Sequence, residues 1–448
     1  MARLFGTDGV RGRANVELTA DLALDLSVAA AHVLAEADPD HRLRAVVGRD
    51  PRASGEFLEA AVVAGLASAG VDVIRVGIIP TPGLAFLVPE LDVDFGVMLS
   101  ASHNPMPDNG IKFFSHGGVK LPDEVEDLIE EELGRPWMRP TGADVGRVTD
   151  NPELADRYIN HLVASLGADR PLEGLKIVLD PANGAASRTA VKAFMSAGAT
   201  VLAIHNKPDG LNINENCGST HIESLQLEVI SAGADFGIGL DGDADRCIAV
   251  DANGRVVDGD QIMAILALAM RDGGQLHQDT VVVTVMSNLG FFQAMKANSI
   301  RVDTTKVGDR YVVESMNANG FTLGGEQSGH VVMSQFATTG DGTLTGLHLA
   351  AQVARTGKPL SELASVMKRL PQVMINVRGV DRGRTNLDQG VVQAVAAAEA
   401  ELDGAGRVVL RPSGTEPVVR VMVEADTEDR AREVAERLAA VVKARLAL

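Results

Sequence analysis

Three aspartates alternate along the stretch Asp241 to Arg246, DGDADR. In an extended segment alternate side chains share a face, so Asp241, Asp243 and Asp245 converge. Like charges ~4 Å apart repel by roughly 4 kcal/mol per pair at an effective dielectric of 20, a cost that a divalent cation removes. Oxygen-only donors suit Mg²⁺, which usually takes further ligands from a substrate phosphate. An EF-hand loop needs Gly sixth and Glu twelfth; Arg246 and Ala252 stand there instead. Zinc needs His or Cys ligands, and Cys247 alone does not supply a set. A solvated acidic turn is the plainer alternative, but Ile238, Gly239 and Leu240 run straight into the cluster.

Ser102 follows an apolar run in VMLSASHNP. The serine elbow of hydrolases needs flanking glycines, and this stretch has none. A hydroxyl paired with a metal site points instead to phosphoryl chemistry, in which the cation offsets charge while nucleophile and leaving group lie in line. A third loop, GGEQSGH, offers Glu326 and Ser328 on one side of an extended stretch, suited to reading sugar hydroxyls or an amine. His330 ends that loop, with a structural role open to it as well. A fourth, RPSGTEP at Arg411 to Pro417, joins a cation, two hydroxyls and a Gly-permitted turn into a phosphate nest, with Arg420 as a second cation. No Walker loop, dinucleotide fingerprint or kinase signature appears.

The elements that carry these loops repeat. Apolar runs at Arg44 to Asp50, Lys176 to Gly184 and Thr280 to Gly290 each lead into a helical stretch, such as Glu59 to Ala69 or Thr189 to Ala197. Second strand-like runs follow at Val71 to Val76, Ala199 to Ile204 and Ser299 to Thr304. Third elements end in SASHNP, DGDADR and GGEQSGH. Alternating strands and helices predict α/β domains with largely parallel sheets, whose ligands bind beyond the strands' carboxyl ends. CIAVDANGRVV reads as a hairpin, with Asn253-Gly254 suited to a type I′ turn. After Leu370 the order becomes strand, helix from Thr385 to Leu402, two strands and a helix from Thr427 to Leu446. The reading is three similar α/β domains with mixed, largely parallel sheets, plus a C-terminal α+β domain, around a central cleft. The expected limits are 1–150 with the Ser102 loop, 151–257 with the metal loop, 258–370 with the sugar loop and 371–448 with the phosphate loop.

Bulk composition agrees. A chain of 448 residues is too long for one core. Its net charge of -19 excludes a nucleic-acid binder, though not a cleft that gathers a few cations around a phosphosugar. Two cysteines fit a reducing cytosol. The start MARLFGTDGVRG lacks a signal peptide's apolar run, and no stretch approaches the ~20 apolar residues of a membrane span. A cytoplasmic protein is expected.

Seven strings in order carry a resemblance: FGTDGVRG at Phe5 to Gly12, GRD at Gly48 to Asp50, SASHNP, NGIKFF at Asn109 to Phe114, DGDADR, GGEQSGH and RPSGTEP. Across essentially the whole chain they resemble the alpha-D-phosphohexomutase family, a fold of three like domains and an α+β fourth. Ser100, the GGEQSGH loop, VGDR at Val307 to Arg310 and LNINENCGSTH at Leu211 to His221 look most like members acting on amino-sugar phosphates. Relatives acting on glucose or mannose phosphates more often have Gly-His where Gly308-Asp309 stands. The resemblance implies that Ser102 is phosphorylated and completes a Mg²⁺ site with the three aspartates. Lys112 and His330 match positions of proton transfer, and Arg11 and Arg246 match cations near the phosphoserine. Gly308, Glu326 and Ser328 would meet the sugar; Arg411, Ser413, Gly414, Thr415 and Arg420 would hold the phosphate that is not reacting. The implied reaction interconverts glucosamine 6-phosphate and glucosamine 1-phosphate through a 1,6-bisphosphate, feeding cell-wall precursors. Glucose 1,6-bisphosphate or glucosamine 1,6-bisphosphate would activate it, and a homodimer is the implied assembly. Three alternatives stay open: a glucose or mannose phosphate mutase, a metal-dependent sugar-phosphate phosphatase, and a non-catalytic sensor.

Overall fold

The computed structural model describes residues 3–6, 8–35, 41–412 and 418–448. Four sheets organise it, and three share one wiring. In the first, Arg44–Arg49 pairs parallel with Asp72–Ile78 on one side and Phe95–Leu99 on the other; Asp108–Ser115 then returns antiparallel. The second repeats this with Lys176–Asp180, Thr200–Ala203, Phe236–Leu240 and Cys247–Asp251. The third does so with Thr280–Thr284, Arg301–Thr305, Leu323–Gly325 and Val331–Met333. The repeat expected from strand order is therefore present in the hydrogen bonding. Helices cover both faces of such sheets, so their inner strands are unbroken apolar runs: Phe95–Leu99, Phe236–Leu240 and Thr280–Thr284 are buried at every residue.

Helices form where apolar residues recur at helical spacing. Ala53–Ser68 buries Leu58, Val62 and Leu66 along one stripe. Its Gly65 lets the chain approach Ala20–Ala35 closely, since a Cβ there would lie 2.6 Å from the Leu24 carbonyl oxygen. The second and third domains share one continuous core, running from Tyr158 through Phe194 and Phe236 to Phe291 and Met367. The first domain keeps its own interior, and so does the fourth.

The fourth sheet is antiparallel, with Val418–Glu424 between Gln372–Arg378 and Arg407–Pro412. The helices Gln389–Leu402 and Glu428–Leu446 supply the rest of its core. Gln372–Arg378 alternates buried and open positions, as a sheet with one covered face does. The helix before Leu402 starts four residues later than Thr385, because Asp388 caps it through the Gly390 and Val391 N–H groups.

One turn departs from expectation. Between Cys247–Asp251 and Val256–Val257, Gly254 alone has a left-handed φ, of 78°, so the Asn253-Gly254 turn is not type I′. The Asp251 carboxylate instead accepts the N–H groups of Asn253 and Arg255 and closes a wider loop.

Candidate active site

The equivalent third strands of the three repeats, Phe95–Leu99, Phe236–Leu240 and Leu323–Gly325, run directly into Ser102, Asp241 and Glu326. Ser102 is 1% exposed, and its hydroxyl donates to Asp241 Oδ2 at 2.7 Å. Its φ is +49°, a region that non-glycine residues enter at a cost. Its N–H donates to Ser100 Oγ, which donates in turn to Asp50.

Asp241, Asp243 and Asp245 are all buried, each with an oxygen within 4.8 Å of the others'. They do not converge as an extended strand would. Residues 242–244 form a turn and Ala244 has a left-handed φ of 59°, so a tight bend gathers them. Asp243 Oδ2 accepts from Thr81 Oγ1 at 2.6 Å and from Lys112 Nζ at 2.9 Å. The other oxygen of Asp243 and Oδ1 of Asp245 are buried without a hydrogen-bond partner among the described residues. Two open carboxylate oxygens beside a serine hydroxyl are the donor set a hard divalent cation takes, so these residues fit Mg²⁺.

Charge is arranged around this cage. Burial, then Asp245 and Asp243, push the Asp241 carboxyl well above the usual carboxylate range. Burial opposes ionisation of Asp245 as well, but His330, Lys112 and Arg246 outweigh it and hold that carboxyl low. His330 Nδ1 lies 3.5 Å from Asp245. Burial disfavours its charge, yet Asp245 and Asp309 raise its pKa to about 9. Lys112 Nζ sits between Asp243 and Asp8, which keep it protonated despite full burial. Burial, then Arg246 and Arg11, depress the pKa of His103 to about 4. Arg11 itself pairs with Asp8, and Arg246 lies 3.8 Å from Asp245.

The sugar loop turns rather than extends, which corrects the expectation that Glu326 and Ser328 share one side. Residues 327–329 bend, leaving Ser328 exposed while Glu326 accepts the Gly308 N–H at 3.3 Å. Arg411 and Arg420 stand opposite each other on paired strands. Burial, then Arg420, lowers the Arg411 pKa, with Glu326 acting the other way. Ser413, Gly414 and Thr415 lie outside the described residues.

Several residues at the site were not singled out from sequence. Asp8, Asp50, Asn214 and Asp309 lie inside quoted motifs, so a signal existed without a role. Lys120 bridges Asp8 of the first domain to Asp309 of the third. Arg52 and Thr81 also belong here; like Lys120, they stand outside any motif. A second cluster, Asp180, His205 and Cys217, also has metal-ligand spacing. There the Asp180 oxygens already accept from Ala182 N–H, Gly218 N–H and His205 Nδ1 at 2.9 Å each.

Among the described residues no helix is long and apolar enough to cross a membrane. Four family descriptions of the phosphoglucomutase/phosphomannomutase type match in order: alpha/beta/alpha domain I at residues 2–136, II at 156–254, III at 258–370, and the C-terminal domain at 374–441. Curated relatives named phosphoglucosamine mutase are 68% identical in Cutibacterium acnes, 65% in Streptomyces griseus and 63% in Thermobifida fusca, each pair aligned over 100% of both chains. Among solved structures, a phosphoglucomutase/phosphomannomutase family protein from Burkholderia thailandensis superimposes with TM-score 0.81 at 24% identity, over 99% of this chain and 97% of that one. Aspergillus fumigatus N-acetylphosphoglucosamine mutase, solved with GlcNAc-6P and magnesium, gives 0.66 at 19%, over 99% and 96%. This chain therefore belongs to the phosphoglucomutase/phosphomannomutase family, the alpha-D-phosphohexomutases.

Proposed function

We propose that the chain is a phosphotransferase isomerase that interconverts glucosamine 6-phosphate and glucosamine 1-phosphate through a phosphorylated Ser102. The observation that carries this is the Ser102 hydroxyl, 2.7 Å from Asp241 in a cage with open carboxylate oxygens. Full-length relatives named for the amino sugar support the substrate. When bound by Asp241, Asp243, Asp245 and phosphorylated Ser102, Mg²⁺ would offset charge on the phosphoryl group in transit.

The rest is the chain's own work. The phosphoryl group leaves Ser102 Oγ for O1 of glucosamine 6-phosphate, and the sugar hydroxyl gives up its proton. Lys112 and His330 handle protons from either side of the cage, next to Asp243 and Asp245. Arg11 and Arg246 balance charge at the phosphoserine. The 1,6-bisphosphate turns by half, and its 6-phosphoryl group returns to Ser102, leaving glucosamine 1-phosphate. Glu326, Ser328 and Gly308 hold the ring in both orientations, while Arg411, Ser413, Gly414, Thr415 and Arg420 hold the idle phosphate. A separate fourth domain suits a nest that must accept either end of the sugar.

We assign the domains to 1–150, 151–257, 258–370 and 371–448, and take glucose 1,6-bisphosphate or glucosamine 1,6-bisphosphate as activator. The two free cysteines are consistent with the cytoplasm, and we expect a homodimer. Phosphorus NMR tests the reading, with Mg²⁺, a trace of glucose 1,6-bisphosphate, and either amino sugar or glucose 6-phosphate. A 1-phosphate signal growing much faster from the amino sugar is expected. Equal or faster conversion of glucose 6-phosphate would favour a glucose or mannose phosphate mutase, and free phosphate alone would make the protein a phosphatase.

A further inference from the structure

Ser102 is held in an uncommon backbone conformation, and the groups that hold it come from two domains. Its N–H is fixed by Ser100 within its own loop. Its carbonyl accepts from Arg52 Nη2 at 3.0 Å and from Asn214 Nδ2 at 2.9 Å. The same two nitrogens reach the Asn104 carbonyl, at 2.8 and 3.0 Å. Two donors and two carbonyls thus form a closed square around the turn that carries the hydroxyl. Arg52 is fully buried and anchored on Asp50. Asn214 arrives from the second domain, more than a hundred residues away, in the 211–221 stretch.

We propose that Asn214 is a positioning residue which, with Arg52, locks the Ser102 backbone in its left-handed conformation and so sets the hydroxyl against Asp241. The inference rests on the role given to Ser102 above. The metal loop is fitted to this square: a Cβ on Gly242 would lie 2.7 Å from both Ser102 O and Asn214 Nδ2. Asparagine suits the place on two grounds. Its own φ is +58°, which Asn tolerates better than most residues, and its amide supplies the donor that Asp lacks. Its N–H donates to the Ala182 carbonyl at 3.0 Å, which seats it on the loop that Asp180 organises. Because Asn214 and the three aspartates ride on one domain and Ser102 on another, the amide keeps the nucleophile in register with the metal loop. Group transfer is sensitive to such register, and a displacement of about 1 Å can cost on the order of 100-fold in rate.

The test replaces Asn214 with Gly, which keeps the backbone conformation and removes the donor. The measurements are turnover, KM for glucosamine 6-phosphate, Mg²⁺ affinity of the unphosphorylated protein, the rate of Ser102 phosphorylation, and thermal stability. We expect kcat to fall about 30- to 100-fold while KM and Mg²⁺ affinity stay within about threefold. The rate at which glucose 1,6-bisphosphate phosphorylates Ser102 should fall by the same factor as kcat. Should Asn214→Gly fail to fold, Asn214→Ala also removes the donor and adds no charge beside the metal loop, with the same pattern expected. A folded variant with kcat within about twofold of the parent overturns the inference. Equal losses in kcat, metal affinity and thermal stability overturn it too, since they describe a merely structural residue. Labelling of Ser102 in the unmodified protein separates the two readings. Without it the mutase reading fails, whereas normal labelling with an unaffected variant sinks Asn214 alone.

Discussion

Two carboxylate clusters stand at the carboxyl ends of neighbouring parallel strands in the second domain, and they do opposite things. Asp180 ends Lys176–Asp180, and Asp241 follows Phe236–Leu240 beside it. Both are buried, and in both clusters the ligand atoms lie within 4.8 Å of one another. Asp180 is filled: two backbone N–H groups and His205 take its oxygens, so it ties Ala182, Gly218 and the 205 segment together. The Asp241 cluster keeps two oxygens open on Asp243 and Asp245. Residue type and proximity do not make a metal site; unfilled acceptor capacity does, because a buried carboxylate that already has its donors gains little from a cation.

The largest expected effect probes the open side. Replacing Ser102 with Ala should abolish bisphosphate-dependent turnover, read by phosphorus NMR, while leaving thermal unfolding nearly unchanged. Persistent turnover would remove Ser102 from the scheme. Asp243→Asn and Asp245→Asn should each weaken Mg²⁺ binding, measured by titration calorimetry, by roughly 10- to 100-fold or more. Asp180→Asn should leave Mg²⁺ affinity alone and instead cost about 1–3 kcal/mol of stability in denaturant unfolding, because one accepting oxygen becomes an NH2 that faces buried N–H donors. Metal affinity that responded equally to both substitutions would erase the contrast.

A subtler separation uses pH. The Asp241 carboxyl is raised by burial and by its two acidic neighbours, and protons compete there with the metal. Apparent Mg²⁺ affinity should therefore weaken as pH falls, starting above the ordinary carboxylate range. Burial raises Asp180 too, against the pull of its N–H donors. Its folded state holds the proton to higher pH than the unfolded chain does. Its contribution to stability is thus complete below the unfolded value and declines as pH rises through the folded one. Asp180→Asn should flatten that part of the stability profile, the smallest effect of the series.

The same contrast shows how far the sequence reaches. DGDADR announced a triad of carboxylates that could hold a cation, and alternating apolar runs announced the three repeated sheets, because those signals are written in consecutive residues. Asn214 lay in a recognisable string without a role, since the carbonyls its side chain reaches, on Ser102 and Asn104, are more than a hundred residues away. The bend through Ala244 and the turn at 327–329 were missed for a local reason: alternation predicts a shared face only while the backbone stays extended. The sequence by itself determined which chemical groups each loop carries and in what domain order, because motif and strand pattern are short-range properties. Tertiary structure alone decided which carboxylate oxygens stay open, since that depends on donors such as Thr81 and Lys112, more than 130 residues from Asp243. Only folding brings these donors to a buried acceptor, and burial is what makes an unfilled one matter.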